Sequence, residues 1–434
     1  MRSLWVRCVA LVLLLATIWG CSTAYLPFTR SYGAHRLWND LAVLNRAHTG
    51  VCVYDPLRRK VLFARKMHHH FTPASNMKIY TLYVSREILG DSAVAIEIGR
   101  MGDTMLIRGA GYPLEEHDLL HWLDTSSAVI DCTDTLLRFG EGWMWDDYPY
   151  SYQRERSWMP LYDNALKVVM DSTGTFYWYP TDTHLRFVID TALDGRYHRA
   201  EYANVFYVNP RRWIYPDTVF IPLFAASAWR RERFARIFTQ YWWQENCPQE
   251  WLADVEAKRL PLDTLYKRLM YHSDNFIAEQ LLLMTQYAVC NAECWDSTWT
   301  YLRAQMLKGL PDSLHWSDGS GLSRYNQTTP ANTVWVLDQI WRRWGQERAL
   351  RWMAAPGRVG TLRQRYRSLV DARGEALLYA KTGSLRGVYC LSGYLRCRSG
   401  RWLIFSVMVN HLMDDRNLAL EEIERFLQYW QERY

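Results

Sequence analysis

Ser75 stands three residues before Lys78 in FTPASNMKIYTL, just after Pro73 and at the start of a run with helical apolar spacing. Residues at i and i+3 share one helix face, so the lysine amine can sit beside the serine hydroxyl. A serine hydroxyl is a weak nucleophile at neutral pH and needs a base within hydrogen-bond reach. A lysine fills that role only when its pKa is lowered by burial, a nearby cation or the positive end of a helix dipole. Alone the pair says little. With 8 lysines and 23 serines in 434 residues, an S-x-x-K spacing is expected about 0.4 times by chance. Two polar residues at a helix start are the plainer reading.

Two further triplets change the weighing, Ser273-Asp274-Asn275 and Lys381-Thr382-Gly383. A K-T-G triplet is expected only about 0.03 times in this composition, and two of the eight lysines fall in these motifs. Lys381 is also a cation that could lower the pKa of Lys78. In a strand, alternation separates Thr382 and Ser384 from Lys381 and Gly383. The glycine removes a side chain where layers approach closely.

The elements that would position these residues follow from periodicity. VCVYDPLRRKVLFARK alternates about Asp55-Pro56 and reads as a hairpin. A helix from Ser75 ends near Gly90. Between about 91 and 250, β-like runs rich in Trp and Tyr alternate with turn clusters, among them TMLIRGAGYP, DTLLRFGEGWMWDDYPYSY and GTFYWYPTDTHLRFVI. Helical spacing returns in ASAWRRERFARIFTQYW, NFIAEQLLLMTQYA and TVWVLDQIWRRW. ALLYAKTGSL, VYCLSGYLRC and RWLIFSVMVN then read as successive antiparallel strands before a last amphipathic helix, LALEEIERFLQYWQ. The fold class expected is α+β, an antiparallel sheet flanked by helices and interrupted by a β-rich inserted domain. The boundaries expected are 1–24 for a leader, 25–90 with 251–434 for the main domain, and 91–250 for the insertion.

Composition bounds the partners. Hydrophobic residues are 49% and charged residues 22%, with a net charge of +6, which is globular. The arginines are dispersed among acids, so no basic tract of the nucleic-acid-binding kind is present. No Cys–His spacing supports a metal site, and the run His68-His69-His70 reads as a solvated loop. MRSLWVRCVALVLLLATIWGCSTA has two arginines, a short apolar run and small residues, the pattern of an export signal. Gly20-Cys21 resembles a lipobox, which would leave a lipidated Cys21 and a membrane anchor; Ser22-Thr23-Ala24 offers ordinary cleavage instead. The expected location is outside the cytoplasmic membrane, in the periplasm, either free or as a lipoprotein.

Taken in chain order, S-x-x-K, S-D-N and K-T-G are the motif set of penicillin-binding enzymes. The chain resembles the D-alanyl-D-alanine carboxypeptidase/endopeptidase family, the class C low-molecular-mass penicillin-binding proteins. PASNMK, GAGYP, GWMWDDYPYSY, YHSDNFIAEQLL, DGSGLSRYN, GTLRQRY and YAKTGSLRGVYCLSGYL carry the likeness across nearly the whole chain after the leader. The 198 residues between Ser75 and Ser273 also fit that family, in which a domain is inserted between the two motifs. The resemblance implies a β-lactamase/transpeptidase-like fold and a serine DD-peptidase acting on peptidoglycan stem peptides and cross-links. β-Lactam antibiotics would be its covalent inhibitors. It implies no metal or organic cofactor.

The same likeness assigns roles. Ser75 is the nucleophile and Lys78 its base. Ser273 relays a proton towards the leaving group, and Asn275 holds the substrate amide and the Lys78 ammonium. Lys381 supplies positive charge behind Thr382 and Ser384, whose hydroxyls bind the terminal carboxylate. The N–H groups of Ser75 and Ser384 form the oxyanion hole. Asp147, with Asp146 as rival, is placed near the amine of the substrate's diamino acid, or is merely structural. Arg324 reaches a substrate carboxylate, or is structural too. The chain departs from the family at Tyr112, where aspartate is usual, and at Ser384, where threonine is more common. Its insertion also looks short, as if a subdomain were reduced. Two other readings stay open: a β-lactamase-like hydrolase or esterase, and a non-catalytic wall-binding protein.

Overall fold

The computed structural model describes residues 32–214 and 216–434; the leader 1–24 and Cys21 lie outside them. The chain enters through α1 (Tyr32–Asn39) and α2 (Ala42–Arg46), then makes the hairpin of β1 (His48–Asp55) and β2 (Lys60–Arg65) and the helix α3 (Met77–Leu89). The next segment holds β3 (Ser92–Met101), β4 (Thr104–Gly109), α4 (Glu116–Trp122) and β5 (Ala128–Asp131). It continues with β6 (Ala165–Met170), β7 (Phe176–Tyr179), β8 (Arg186–Ile189), β9 (Tyr197–Arg199), β10 (Val205–Val208) and β11 (Asp217–Pro222). After α5 (Ala226–Ile237), β12 (Gln240–Trp243) and β13 (Val255–Pro261) come α6 (Asp263–Tyr271), α7 (Asn275–Cys290), α8 (Trp295–Gln305) and α9 (Pro330–Arg351). β14 (Leu378–Leu385), β15 (Val388–Arg396), β16 (Trp402–Asn410) and α10 (Arg416–Arg433) end the chain.

Both ends of the chain build one five-stranded sheet, ordered β14-β15-β16-β1-β2. Every pairing in it is antiparallel. Alternation along β1 sends Val51 and Val53 into a core with Phe426, Leu427 and Trp430 of α10. Cys52 and Tyr54 enter a second core with α3 and α9. The sheet is therefore covered on both faces, the α+β architecture expected. α3 is buried around nearly its whole circumference from Met77 to Ser85, and α7 from Phe276 to Gln286. A helix apolar on all sides belongs in a core, and these two pack together. Their first turns carry Lys78 and Asn275.

A second five-stranded sheet, β12-β5-β4-β3-β13, and two three-stranded sheets, β11-β6-β7 and β8-β10-β9, lie between these parts in sequence. Tyr112, at the position where an aspartate is usual, is buried and donates from its hydroxyl to Pro261 O at 2.8 Å, tying the start of this region to β13. Cys132 and Cys247 form a disulfide with Cα atoms 5.5 Å apart.

Two expectations need correction. DTLLRFGEGWMWDDYPYSY is not β: it is a chain of turns with a 3-10 turn at Trp145–Asp147. Its local bonds run Trp143 N–H to Gly140 O, Asp147 N–H to Met144 O and Tyr150 N–H to Asp147 O. ASAWRRERFARIFTQYW is not helical throughout. The helix stops at Ile237, and Gln240–Trp243 pairs with β5 in parallel.

Candidate active site

Pro73 leads into a 3-10 turn, Ala74–Asn76, which passes directly into α3. Ala74 is fully buried with φ +46, a left-handed conformation rare for a residue with a Cβ. Gly321 lies against it with φ +79, and a Cβ there would collide with the Ala74 carbonyl. The turn is thus clamped from outside, with Ser75 at its centre.

Lys78 Nζ donates to Ser75 Oγ at 2.9 Å, to Asn275 Oδ1 at 2.6 Å and to Ser320 O at 2.6 Å. The amine is completely buried. Burial pushes its pKa down to about 8, while Asp318, Glu279 and Asp274 pull the other way. Burial, then, is the main cause of the lowering, ahead of any neighbouring cation. About a tenth of Lys78 is therefore free amine at pH 7, next to a hydroxyl.

Lys381 Nζ donates to Ser273 Oγ at 2.8 Å and to Thr382 O at 2.6 Å. It too is fully buried; burial first, and the charge of Lys78 second, hold its pKa well down. The strand carrying it sits directly on the nucleophile turn. Asn76 Nδ2 donates to Lys381 O at 3.0 Å. A Cβ on Gly383 would stand 2.6 Å from Pro73 O and 3.0 Å from Ser75 N, so only glycine allows this approach. Thr382 Oγ1 donates to Thr361 Oγ1 at 2.9 Å, and Ser384 is exposed.

Ser273 has φ +57 and immediately precedes Asp274, whose carboxylate caps α7 by accepting from Ile277 N at 3.3 Å. Against the cost of burial, Arg154 and Arg268 hold the Asp274 carboxyl below the usual carboxylate range. Their ion pairs are 2.7 and 2.8 Å long. These contacts fix the loop that aims Ser273 and Asn275.

Several contributors lie inside the quoted stretches but carry no role that the sequence assigns. Ser320 acts through a backbone carbonyl. Glu279 accepts from Ser320 N at 2.7 Å and Asp318 from Gly321 N at 2.7 Å, which shapes that loop. Burial, then the Asp318 charge, raises Glu279 to about 7. Tyr152 O accepts from Asn275 Nδ2 at 3.0 Å, while the Tyr152 hydroxyl donates to Asp147 Oδ1 at 2.7 Å. Asp147 is thereby linked to the site through Tyr152, whereas Asp146 is exposed and makes no such bond. Arg324 is exposed and donates to Arg386 O at 3.2 Å. Lys78 thus bonds Ser75 and Asn275, Lys381 bonds Ser273, and the Asn76 bond to Lys381 O joins the two sets, with Gly383 packed on the nucleophile turn; Asp147 reaches Asn275 only through Tyr152, and Arg324 bonds to Arg386 O instead.

A helix-borne serine–lysine pair, a second serine on a buried lysine, and an edge strand against the nucleophile define a serine acyl-transfer enzyme of the penicillin-binding class. Residues 244–434 match the D-Ala-D-Ala carboxypeptidase 3 (S13) family, which supports a penicillin-binding serine DD-peptidase. A D-alanyl-D-alanine carboxypeptidase of Actinomadura sp. (strain R39) is 26% identical over 443 aligned residues, covering 87% of this chain and 80% of the relative. D-alanyl-D-alanine carboxypeptidase DacB of Haemophilus influenzae is 30% identical over 160 residues, 36% of this chain and 33% of the relative. The crystal structure of penicillin binding protein 4 (dacB) from H. influenzae shares the fold, with TM-score 0.70 and 18% identity over 89% of this chain and 98% of that one.

Proposed function

We propose that this protein cleaves the D-alanyl-D-alanine bond of peptidoglycan peptides, as a carboxypeptidase and as an endopeptidase on cross-links, through an acyl-enzyme on Ser75. The observation that carries the reading is the bond from Lys78 Nζ to Ser75 Oγ, made by an amine whose pKa burial has brought to about 8. In acylation the Ser75 oxygen attacks the carbonyl carbon of the penultimate D-alanine, and Lys78 takes the hydroxyl proton. The oxyanion meets the N–H groups of Ser75 and Ser384, at about 3–4 kcal/mol of stabilisation per donor. The C–N bond then breaks, and Ser273, held by Lys381, passes its proton to the departing nitrogen and regains one from the Lys78 ammonium, which returns to free amine. Water hydrolyses the ester by the reverse proton path and restores Ser75.

The leaving residue's carboxylate lies towards Thr382 and Ser384, with Lys381 supplying charge. Asp147, with its Tyr152 partner, receives the amine of the diamino acid, and Arg324 a carboxylate. β-Lactams acylate the same oxygen, in keeping with the β-lactam complex described for the H. influenzae protein, which was solved with a novel β-lactam. The apolar leader and the Cys132–Cys247 disulfide support an exported, periplasmic enzyme. A lipidated Cys21 would add a membrane anchor.

The test is digestion of a purified disaccharide pentapeptide and of a cross-linked dimer, followed by mass spectrometry. The wild type should release D-alanine from the first and monomers from the second, and Ser75→Ala should do neither. Equal turnover by both proteins would refute the proposal.

A further inference from the structure

Lys78 Nζ has two acceptors besides Ser75, and one stretch of the inserted region reaches behind both. Asn275, which offers Oδ1 to the amine, donates from Nδ2 to Tyr152 O at 3.0 Å. Ser320, which offers its carbonyl, stands between Asp318 and Gly321 in DGSGLSRYN. Asp318 is buried and accepts four N–H bonds, a full set for a carboxylate. Three come from its own loop: Gly321 N at 2.7 Å, Ser323 N at 2.6 Å and Asn326 Nδ2 at 2.7 Å. The fourth comes from the inserted region, from Trp143 Nε1 at 2.9 Å. The two surfaces meet closely there. Gly142 has φ +74, and a Cβ on it would stand 2.8 Å from Ser323 Oγ.

The same carboxylate sets much of the charge around the amine. Asp318 is the strongest of the three acids that favour the Lys78 ammonium, ahead of Glu279 on α7 and Asp274 at its cap. From β14, Lys381 and Lys78 repel one another as cations. Glu279 titrates near 7 and so changes charge in the range where the enzyme would work. An N–H aimed at a carboxylate draws on its charge and weakens its pull on a nearby cation. An indole suits that task, because it donates, accepts nothing and carries no charge of its own.

We propose that Trp143 is a positioning residue for acylation: its indole N–H fixes Asp318, so that Ser320 O stays on the Lys78 amine and less of the aspartate charge reaches that amine. The inference rests on the peptidase reading, in which Lys78 is the base, and makes the inserted region part of that base's surroundings. A phenylalanine ring can occupy the same place but leaves one Asp318 oxygen a donor short. The unmasked charge then favours the ammonium, which cannot accept a proton.

The test is the pH profile of acylation by a fluorescent penicillin in the wild type, Trp143→Phe, Asp318→Asn and the double variant. The midpoint is read within each protein, so a partial loss of folded enzyme cancels. Glu279, Asp274 and Lys381 are common to all four proteins, so the cycle isolates the Trp143–Asp318 pair. In Trp143→Phe the midpoint should rise by about half a pH unit or more, and the rate at pH 7 should fall about threefold or more. In Asp318→Asn the midpoint should drop below that of the wild type, and adding Trp143→Phe should move it no further. A wild-type midpoint in Trp143→Phe, even with slower labelling, would overturn the inference alone, as would an equal rise in the Asp318→Asn background. A flat wild-type profile would instead overturn Lys78 as the base, and the peptidase mechanism with it.

Discussion

Lys78 Nζ lies 2.6 Å from Asn275 Oδ1, a bond between the first turns of two core helices 197 residues apart in the chain. It makes the amine's position depend on both halves of the interrupted main sheet and its helices. It also leaves the second Asn275 group, Nδ2, directed at Tyr152 O. One amide therefore joins the base to the segment carrying Asp147.

Replacing that amide by a carboxylate separates geometry from charge. Asn275→Asp keeps an oxygen for Lys78 but adds an anion in contact with it, which favours the ammonium form. Acylation by a fluorescent penicillin should fall about 10²-fold at pH 7 and recover partly as pH rises. Asn275→Ala should be slow as well, without the recovery. Matching pH profiles for the two variants would disprove a role in setting the charge of Lys78.

The wild-type profile is fixed in sign by the lowered pKa. A general base works as free amine, so the acylation rate should rise with pH, pass its midpoint near 8 and level off above it. Stopped-flow labelling between pH 6 and 10 measures this. A flat profile would mean that Lys78 does not accept the proton.

Gly383→Ala tests the contact between β14 and the nucleophile turn. The new Cβ meets backbone atoms, Pro73 O at 2.6 Å and Ser75 N at 3.0 Å, which cannot swing aside as a side chain can. Overpacking of this kind costs about 1–3 kcal/mol of stability. The strand must shift from Ser75, and the acylation rate should fall by about 10²-fold or more while the circular dichroism spectrum stays native. Undiminished labelling would show that the strand has no close role at Ser75.

The disulfide makes a separate prediction about stability. Cys132 and Cys247 close a loop across a sequence separation of 115 residues, and removing such a link typically costs about 2–4 kcal/mol. The Cys132→Ser, Cys247→Ser double variant should unfold at lower denaturant concentration. An unchanged midpoint would show that the link adds nothing to the folded state.

How much of this was legible in the sequence depends on the kind of contact. Ser75, Lys78, Ser273, Asn275 and Lys381 announced themselves because each acts through a side chain at a characteristic spacing. Ser320 could not, since its contribution is a carbonyl that every residue possesses. Glu279 and Asp318 lie within YHSDNFIAEQLL and DGSGLSRYN without an assigned role, and only burial beside Lys78 distinguishes them. The segment around Trp143–Tyr152 was misread as β because aromatic residues favour strands. Its aromatic groups instead hold turns, with Trp143 Nε1 donating to Asp318 Oδ2 at 2.9 Å. Pairing of Cys132 with Cys247 needs a spatial neighbour that no local pattern encodes.

The most direct measurement of the central claim is to label the purified protein with a fluorescent penicillin and map the adduct by peptide mass spectrometry. The account predicts one adduct, on Ser75 in the peptide containing PASNMK, absent from Ser75→Ala protein. An adduct on another residue, or equal labelling of wild type and Ser75→Ala, would contradict it.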